Sequence, residues 1–158
     1  MLYQREVKSI VSDNPIPRCE FEGEKLVLRL ETTIPADVSA ISPIVDRVME
    51  VAQQIDCTSG KELEVETALR EALANAIVHG CKNDPSKQVQ LCVACDDTRG
   101  ILIIVRNPGE GFDPASICDP TVGQNIYATK GRGIYLINQL MDEVRFERGG
   151  TEIHMRKK

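Results

Sequence analysis

Residues 71–80 read EALANAIVHG, an acid and an amide set four apart in a run of Ala, Leu, Ile and Val. A spacing of four puts Glu71 and Asn75 on one face of a helix, one turn apart, with His79 a further turn on. The surrounding pattern predicts that helix over residues 61–79. Val65, Ala68, Leu69, Ala72, Leu73, Ala76 and Ile77 form its apolar stripe, Glu66 and Arg70 can pair at i, i+4, and Gly80 is a natural stop. Asn is a weak helix former, and a buried carboxylate or amide without partners costs free energy. The pair must therefore meet water at the edge of the stripe or a polar ligand.

Composition narrows the choice. The chain has 158 residues, 42% hydrophobic and 27% charged, enough apolar content for one globular domain with its own core and too much for disorder. Residues 1–158 are read as that single domain, with about the first 23 as an N-terminal extension. A net charge of -5 and 4% aromatics leave neither a basic footprint nor a stacking surface for nucleic acid. The first residues lack a signal-type apolar core and no later run is long enough to span a membrane, so a cytoplasmic protein without membrane contact is expected. Its six cysteines are then expected as reduced thiols, several buried as small apolar groups. Cys92 and Cys95 look like a metal or redox pair, but in a strand a separation of three turns them to opposite faces.

Along the chain, residues 24–34 alternate as a strand. After Pro35, Val45, Val48, Met49, Ala52 and Ile55 repeat at helical spacing, with Pro43 suited to the first turn. KQVQLCVACDD and GILIIVRN read as two strands joined by a short turn ending at Gly100, and EVRFER and TEIHMRK as a closing hairpin around Gly149 and Gly150. A third helix follows Gly131 to about Met141. The order β, α, α, β, β, loop, α, β, β predicts an α+β fold, a two-layer sandwich with a mixed, mostly antiparallel sheet and its helices on one face.

The irregular stretch from Pro108 to Lys130 is bounded by glycines, NPGEGFDP at one end and TKGRGIYLI at the other. A loop this long in a small domain is usually functional, and with little apolar content it is expected to act as a lid ordered by its ligand. Gly109 and Gly111 let backbone approach a ligand closely, while Gly131 and Gly133 lie where free N–H groups and the helix dipole can hold phosphates. GRG is followed by no Gly-Lys-Ser/Thr, so it is not a P-loop, and a dinucleotide fingerprint would need a parallel βαβ unit. With phosphates nearby, Asn75 can offer its amide oxygen to a magnesium ion bridging them, and Glu71 can take a proton from the attacking hydroxyl or water.

An acid four residues before an Asn, then Gly-x-Gly-Phe after a strand, then Lys-Gly-x-Gly at a helix start, resembles the Bergerat ATP-binding fold of gyrase, histidine kinases and mismatch-repair ATPases (the GHKL superfamily). The likeness holds from about residue 31 to the end. It is most similar to the anti-sigma-factor serine/threonine kinases, small single domains whose helix reads E-A-x-x-N-A-x-x-H-G, as Glu71 to Gly80 do here. This resemblance implies an ATP- and magnesium-dependent kinase that phosphorylates a small antagonist protein and also binds and restrains a sigma factor; dimers are usual in that family. It assigns Glu71 as catalytic base and Asn75 as magnesium ligand. His79, Asn107, Gly109, Gly111, Phe112, Lys130, Gly131, Arg132, Gly133 and Thr151 join Asn75 around the nucleotide, Thr151 near the adenine and Lys130, Arg132 or both toward the γ-phosphate.

One position departs from the pattern. The family's Asp-x-Gly-x-Gly begins with an acid that receives the adenine amine, and Asn107 stands in its place. An amide oxygen can still accept that hydrogen bond, but its amino group then needs an acceptor. Asn107→Asp is expected on this ground to tighten ATP. Two other readings stay open: a non-catalytic, nucleotide-gated switch that captures a partner, and a detached ATP-binding domain of histidine-kinase type. The latter requires a helical module with a phosphoacceptor His, whereas both histidines, His79 and His154, lie inside the domain.

Overall fold

A computed structural model describes residues 26–109 and 129–158. Gly111, Phe112 and the lid expected between the two glycine pairs lie outside these residues, as do the side chains of Thr129 and Lys130.

Strand β1, Leu26–Pro35, leads through a short 3-10 turn into helix α1, Ile41–Gln54. Asp37 caps that turn by accepting from the Ser39 N–H at 2.9 Å. Pro43 is the third residue of α1, where a missing N–H removes no intrahelical bond. Helix α2, Glu62–Ala74, starts with Glu62 and Glu64, whose charges suit the positive end of a helix. The expected Glu66–Arg70 pair forms at 3.2 Å, and Arg70 also donates to Ser42 Oγ at 3.1 Å, linking α2 to the first turn of α1.

Strands β2, Gln88–Asp96, and β3, Gly100–Arg106, form a hairpin. Asp96 fixes its turn: the carboxylate accepts from the N–H of Thr98 and Arg99 and from the Arg99 guanidinium, whose hydrogen bond, first among these, holds the Asp96 carboxyl well below the usual range. Helix α3, Thr129–Leu140, begins two residues before Gly131, and β4, Glu143–Glu147, and β5, Glu152–Lys157, close the fold. The sheet runs β1-β2-β3-β5-β4, and every described pairing is antiparallel. The α+β reading holds, with the parallel component of a mixed sheet absent among the described residues.

The three α-helices among the described residues lie on one face. Val45, Val48 and Met49 of α1, the stripe of α2, and Ile137 of α3 pack against Val89, Leu91, Val93, Ile103, Val105 and Met155 of the sheet. Strand β2 is buried on its other face too, where Cys92 and Ala94 meet Leu26, Leu102 and Ile104. Cys95 belongs to the helix side and Cys92 to the outer one, the division that strand alternation requires.

The cysteines need one correction. Cys57, in the turn after α1, is bonded to Cys95 across a Cα separation of 6.2 Å, while Cys81 is a free, buried thiol and Cys92 is buried on the outer face of the sheet. Spacing within β2 could not reveal this, because the partner comes from a different element. The bridge closes 38 residues of sequence, including all of α2. A loop of that length stabilises by about 2–4 kcal/mol through the unfolded chain. Reductant is therefore expected to lower the unfolding midpoint of the oxidised wild type and to leave Cys57→Ser unmoved, as read by thermal denaturation with and without dithiothreitol.

Candidate functional site

The helix carrying Glu71 and Asn75 changes pitch at Asn75. Asn75–Gly80 is a π-turn, with the Cys81 N–H bonded to the Ala76 carbonyl at 2.8 Å, five residues back. Such wide turns cost hydrogen-bond geometry and are frequent at functional sites. Here Ala76 and Ile77 stay in the core while Asn75 and His79 both line a cleft between α2, α3 and the ends of β3 and β5. The sequence pattern anticipated the alignment of these residues but not the wider turn.

Glu71 and Asn75 are half-buried, and what faces them is Gly133 in the second turn of α3. A Cβ built on Gly133 would lie 3.0 Å from Glu71 Oε2 and 3.3 Å from Asn75 Nδ2. Gly133 thus lets α3 approach closely enough to enclose both groups, and its own N–H falls past the first turn, where helical N–H groups are free. Of the two glycines expected to offer N–H groups to phosphate, only Gly131 lies within that first turn.

At the other wall, Asn107 is tightly held. Its Oδ1 accepts from the Gly109 N–H at 2.9 Å, its Nδ2 donates to the Thr151 carbonyl at 3.3 Å, and its backbone N–H donates to the same carbonyl at 2.9 Å. One neighbour can only donate and the other only accept, so the amide has one orientation. Its flat group rests on Gly80, where any side chain would collide with it, and a Cβ on Gly109 would run into the Gly80 carbonyl. Gly80, read from sequence as a helix stop, is therefore also a close-packing residue.

Asn75, His79, Asn107 and Thr151 share the cleft, walled by Val105, Ile134, Phe146 and Ile153. These apolar walls were missed because nothing distinguishes them from ordinary core residues before the strands are paired. Gly109 lies behind, lining a recess with Arg106 and Arg148. Arg132 is exposed and is not among the cleft's lining residues.

The orientation of Asn107 opposes the gain in ATP affinity expected of Asn107→Asp. A carboxylate would set a second oxygen against the Thr151 carbonyl where the amide donates. Asn107→Asp is expected to cost about 1 kcal/mol at neutral pH, the order of one net hydrogen bond at this half-buried position. Repulsion raises the folded-state pKa of the new carboxyl above its unfolded value, so the loss is full above the folded pKa and disappears below the unfolded one, where a protonated carboxyl can donate. Denaturant unfolding at pH 7 and at acidic pH, against wild type, checks both size and sign.

A family model described as a histidine kinase-like ATPase domain matches residues 34–157. Several curated relatives are anti-sigma F factors. That of Geobacillus stearothermophilus is 32% identical over 114 residues, covering 66% of this chain and 74% of its own length. The anti-sigma F factor of Geobacillus thermodenitrificans (strain NG80-2) is 34% identical with the same coverage, and that of Priestia megaterium 28% identical over 113 residues. With three helices on one face of a five-stranded antiparallel sheet among the described residues and a match over most of its length, the chain belongs to the histidine kinase-like ATPase domain family, the Bergerat superfamily, with anti-sigma F factors among its relatives.

Proposed function

We propose that this protein is an ATP-dependent serine/threonine kinase that phosphorylates a small anti-sigma-factor antagonist and binds a sigma factor to inhibit it. The observation that carries this reading is the placement of Glu71 and Asn75 side by side under Gly133, in the second turn of the helix whose first turn would meet the phosphates. A binding module has no use for a carboxylate there. The reading takes ATP as the nucleotide, Asn107 and Thr151 as the base edge, His79 as a wall of the same cleft, and Gly109, Gly111, Phe112, Lys130, Gly131, Arg132 and Gly133 as the loop and helix start around the phosphates.

In that reaction the acceptor hydroxyl oxygen bonds to the γ-phosphorus as the bond from phosphorus to the β,γ-bridging oxygen breaks, ADP leaves, and the hydroxyl proton passes to the Glu71 carboxylate. Magnesium suits the donors present. Asn75 would supply it with a hard amide oxygen. Bound there, it would neutralise charge on the phosphates.

A cytoplasmic location goes with this reading. No helix among the described residues is long and apolar enough to cross a membrane. A homodimer is part of the same proposal, supported by the resemblance alone.

Glu71→Gln is expected to retain nucleotide binding and lose phosphoryl transfer by roughly 10²-fold or more, the usual contribution of a general base. Asn75→Ala should weaken magnesium-dependent binding instead. Transfer of label from ATP to the host's small antagonist proteins, with nucleotide affinity by calorimetry, separates the two; unchanged turnover in Glu71→Gln favours the binding switch. Gly133→Ala divides stability from function. Alanine gains about 1 kcal/mol of helix propensity over glycine, and the flexible end of Glu71 can yield by the few tenths of an ångström needed. The midpoint of unfolding should hold or rise while turnover falls, because the carboxylate and amide are pushed from their places.

A further inference from the structure

The strand ends that carry Asn107 and Thr151 are fastened from the opposite face of the sheet. Arg106 and Glu152 are register partners on β3 and β5, one residue before Asn107 and one after Thr151. Their neighbours Val105 and Ile153 point into the helix-side core, so Arg106 and Glu152 point the other way. Arg106 Nε donates to Glu152 Oε2 at 2.6 Å, with the two side chains only 12% and 5% exposed. The second carboxylate oxygen, Oε1, lies 2.6 Å from His154 Nε2 on the same face. Arg145 stands behind His154, its Nη2 3.5 Å from Nδ1. Both oxygens of Glu152 are thus engaged, and the carboxylate has one place to sit.

A buried ion pair seldom adds net stability over apolar groups of the same volume, and the best-attested use of such a pair is to fix register. A slip of one residue between β3 and β5 would unpair Arg106 from Glu152 and separate Asn107 from the Thr151 carbonyl that accepts from both its backbone N–H and its Nδ2. We propose that Arg106 and Glu152 are positioning residues for base recognition: their ion pair on the outer face sets the rung on which Asn107 and Thr151 present a rigid edge to the purine. This rests on the nucleotide reading of the cleft and extends it to the choice of base.

The test is the double variant Arg106→Met/Glu152→Met in the full chain, with calorimetric affinities for ATP, GTP and inorganic tripolyphosphate in magnesium, and circular dichroism to follow folding. The expected result is a folded protein whose preference between ATP and GTP falls by roughly three- to ten-fold, the equivalent of one hydrogen bond's net contribution, while tripolyphosphate binding is unmoved. Arg106→Lys, which keeps the charge but not the planar guanidinium, should fall between this and wild type. A folded double variant with the wild-type preference overturns the proposal, as does an equal loss for all three ligands, which would mark a merely structural pair. If the double variant does not fold, Arg106→Lys decides: an unchanged preference overturns the proposal and a reduced one at an unchanged unfolding midpoint supports it. A wild type that binds both nucleotides without distinguishing them leaves no edge to position and overturns this proposal alone. One that binds neither nucleotide overturns the reading of the cleft, and the proposal with it.

Discussion

The burial of one side of α2 is the constraint on which the rest of the molecule depends. Val65, Ala68, Leu69, Ala72, Leu73, Ala76 and Ile77 are all within the core, pressed between the sheet, α1 and α3. Apolar burial is worth about 25 cal/mol per Å², and no other rotation of this helix buries the same set. Once that rotation is fixed, Glu71 and Asn75 have no freedom of placement: they stand at the margin of the stripe, where α3 crosses. The polar pair is held in position by its apolar neighbours, which is why rigidity there requires few hydrogen bonds.

Close approach by backbone then replaces side-chain packing at two points. Gly133 brings α3 over Glu71 and Asn75, and the contact of Gly80 with Asn107 and Gly109 brings the end of the π-turn that follows α2 onto the end of β3. Both are contacts between residues distant in sequence. At each, a methyl group would intrude on a polar atom, so the glycines act as spacers that set the width of the cleft. Their role is steric, since Gly80, Gly109 and Gly133 all keep a φ open to other residues.

What the sequence disclosed follows from this division. The stripe of α2, the alternation of β2 and the i, i+4 pair of Glu66 and Arg70 are local patterns, and each forms as read. The order of motifs gave the fold class through a family likeness that the match over residues 34–157 bears out. The remainder depended on pairings between distant elements. Cys57 meets Cys95 only because the turn after α1 lies over β2, and the roles of Phe146, Ile153 and Ile134 emerge only when the strands are ordered. The π-turn at Asn75–Gly80 has no local signature, since Ala76 and Ile77 fit an α-helical stripe as well. Asn107 is the instructive case. Its identity was legible, but the constraint on it comes from the Thr151 carbonyl, 44 residues away.

The two faces of the sheet carry different chemistry, and the alternation of β3 and β5 is what joins them. On the helix side, Val105 and Ile153 wall the cleft; on the outer side, Arg106, Glu152 and His154 form a chain of charge-assisted contacts. A strand is stiff along this direction, because moving one side chain to a new register carries all the others to the opposite face. The outer chain is therefore mechanically coupled to the cleft without touching it. An isolated ion pair in the same setting would be a poor source of stability, since desolvation consumes most of the Coulombic gain. Its worth lies in admitting a single register, which for a site that must hold an amide against one carbonyl is the property required.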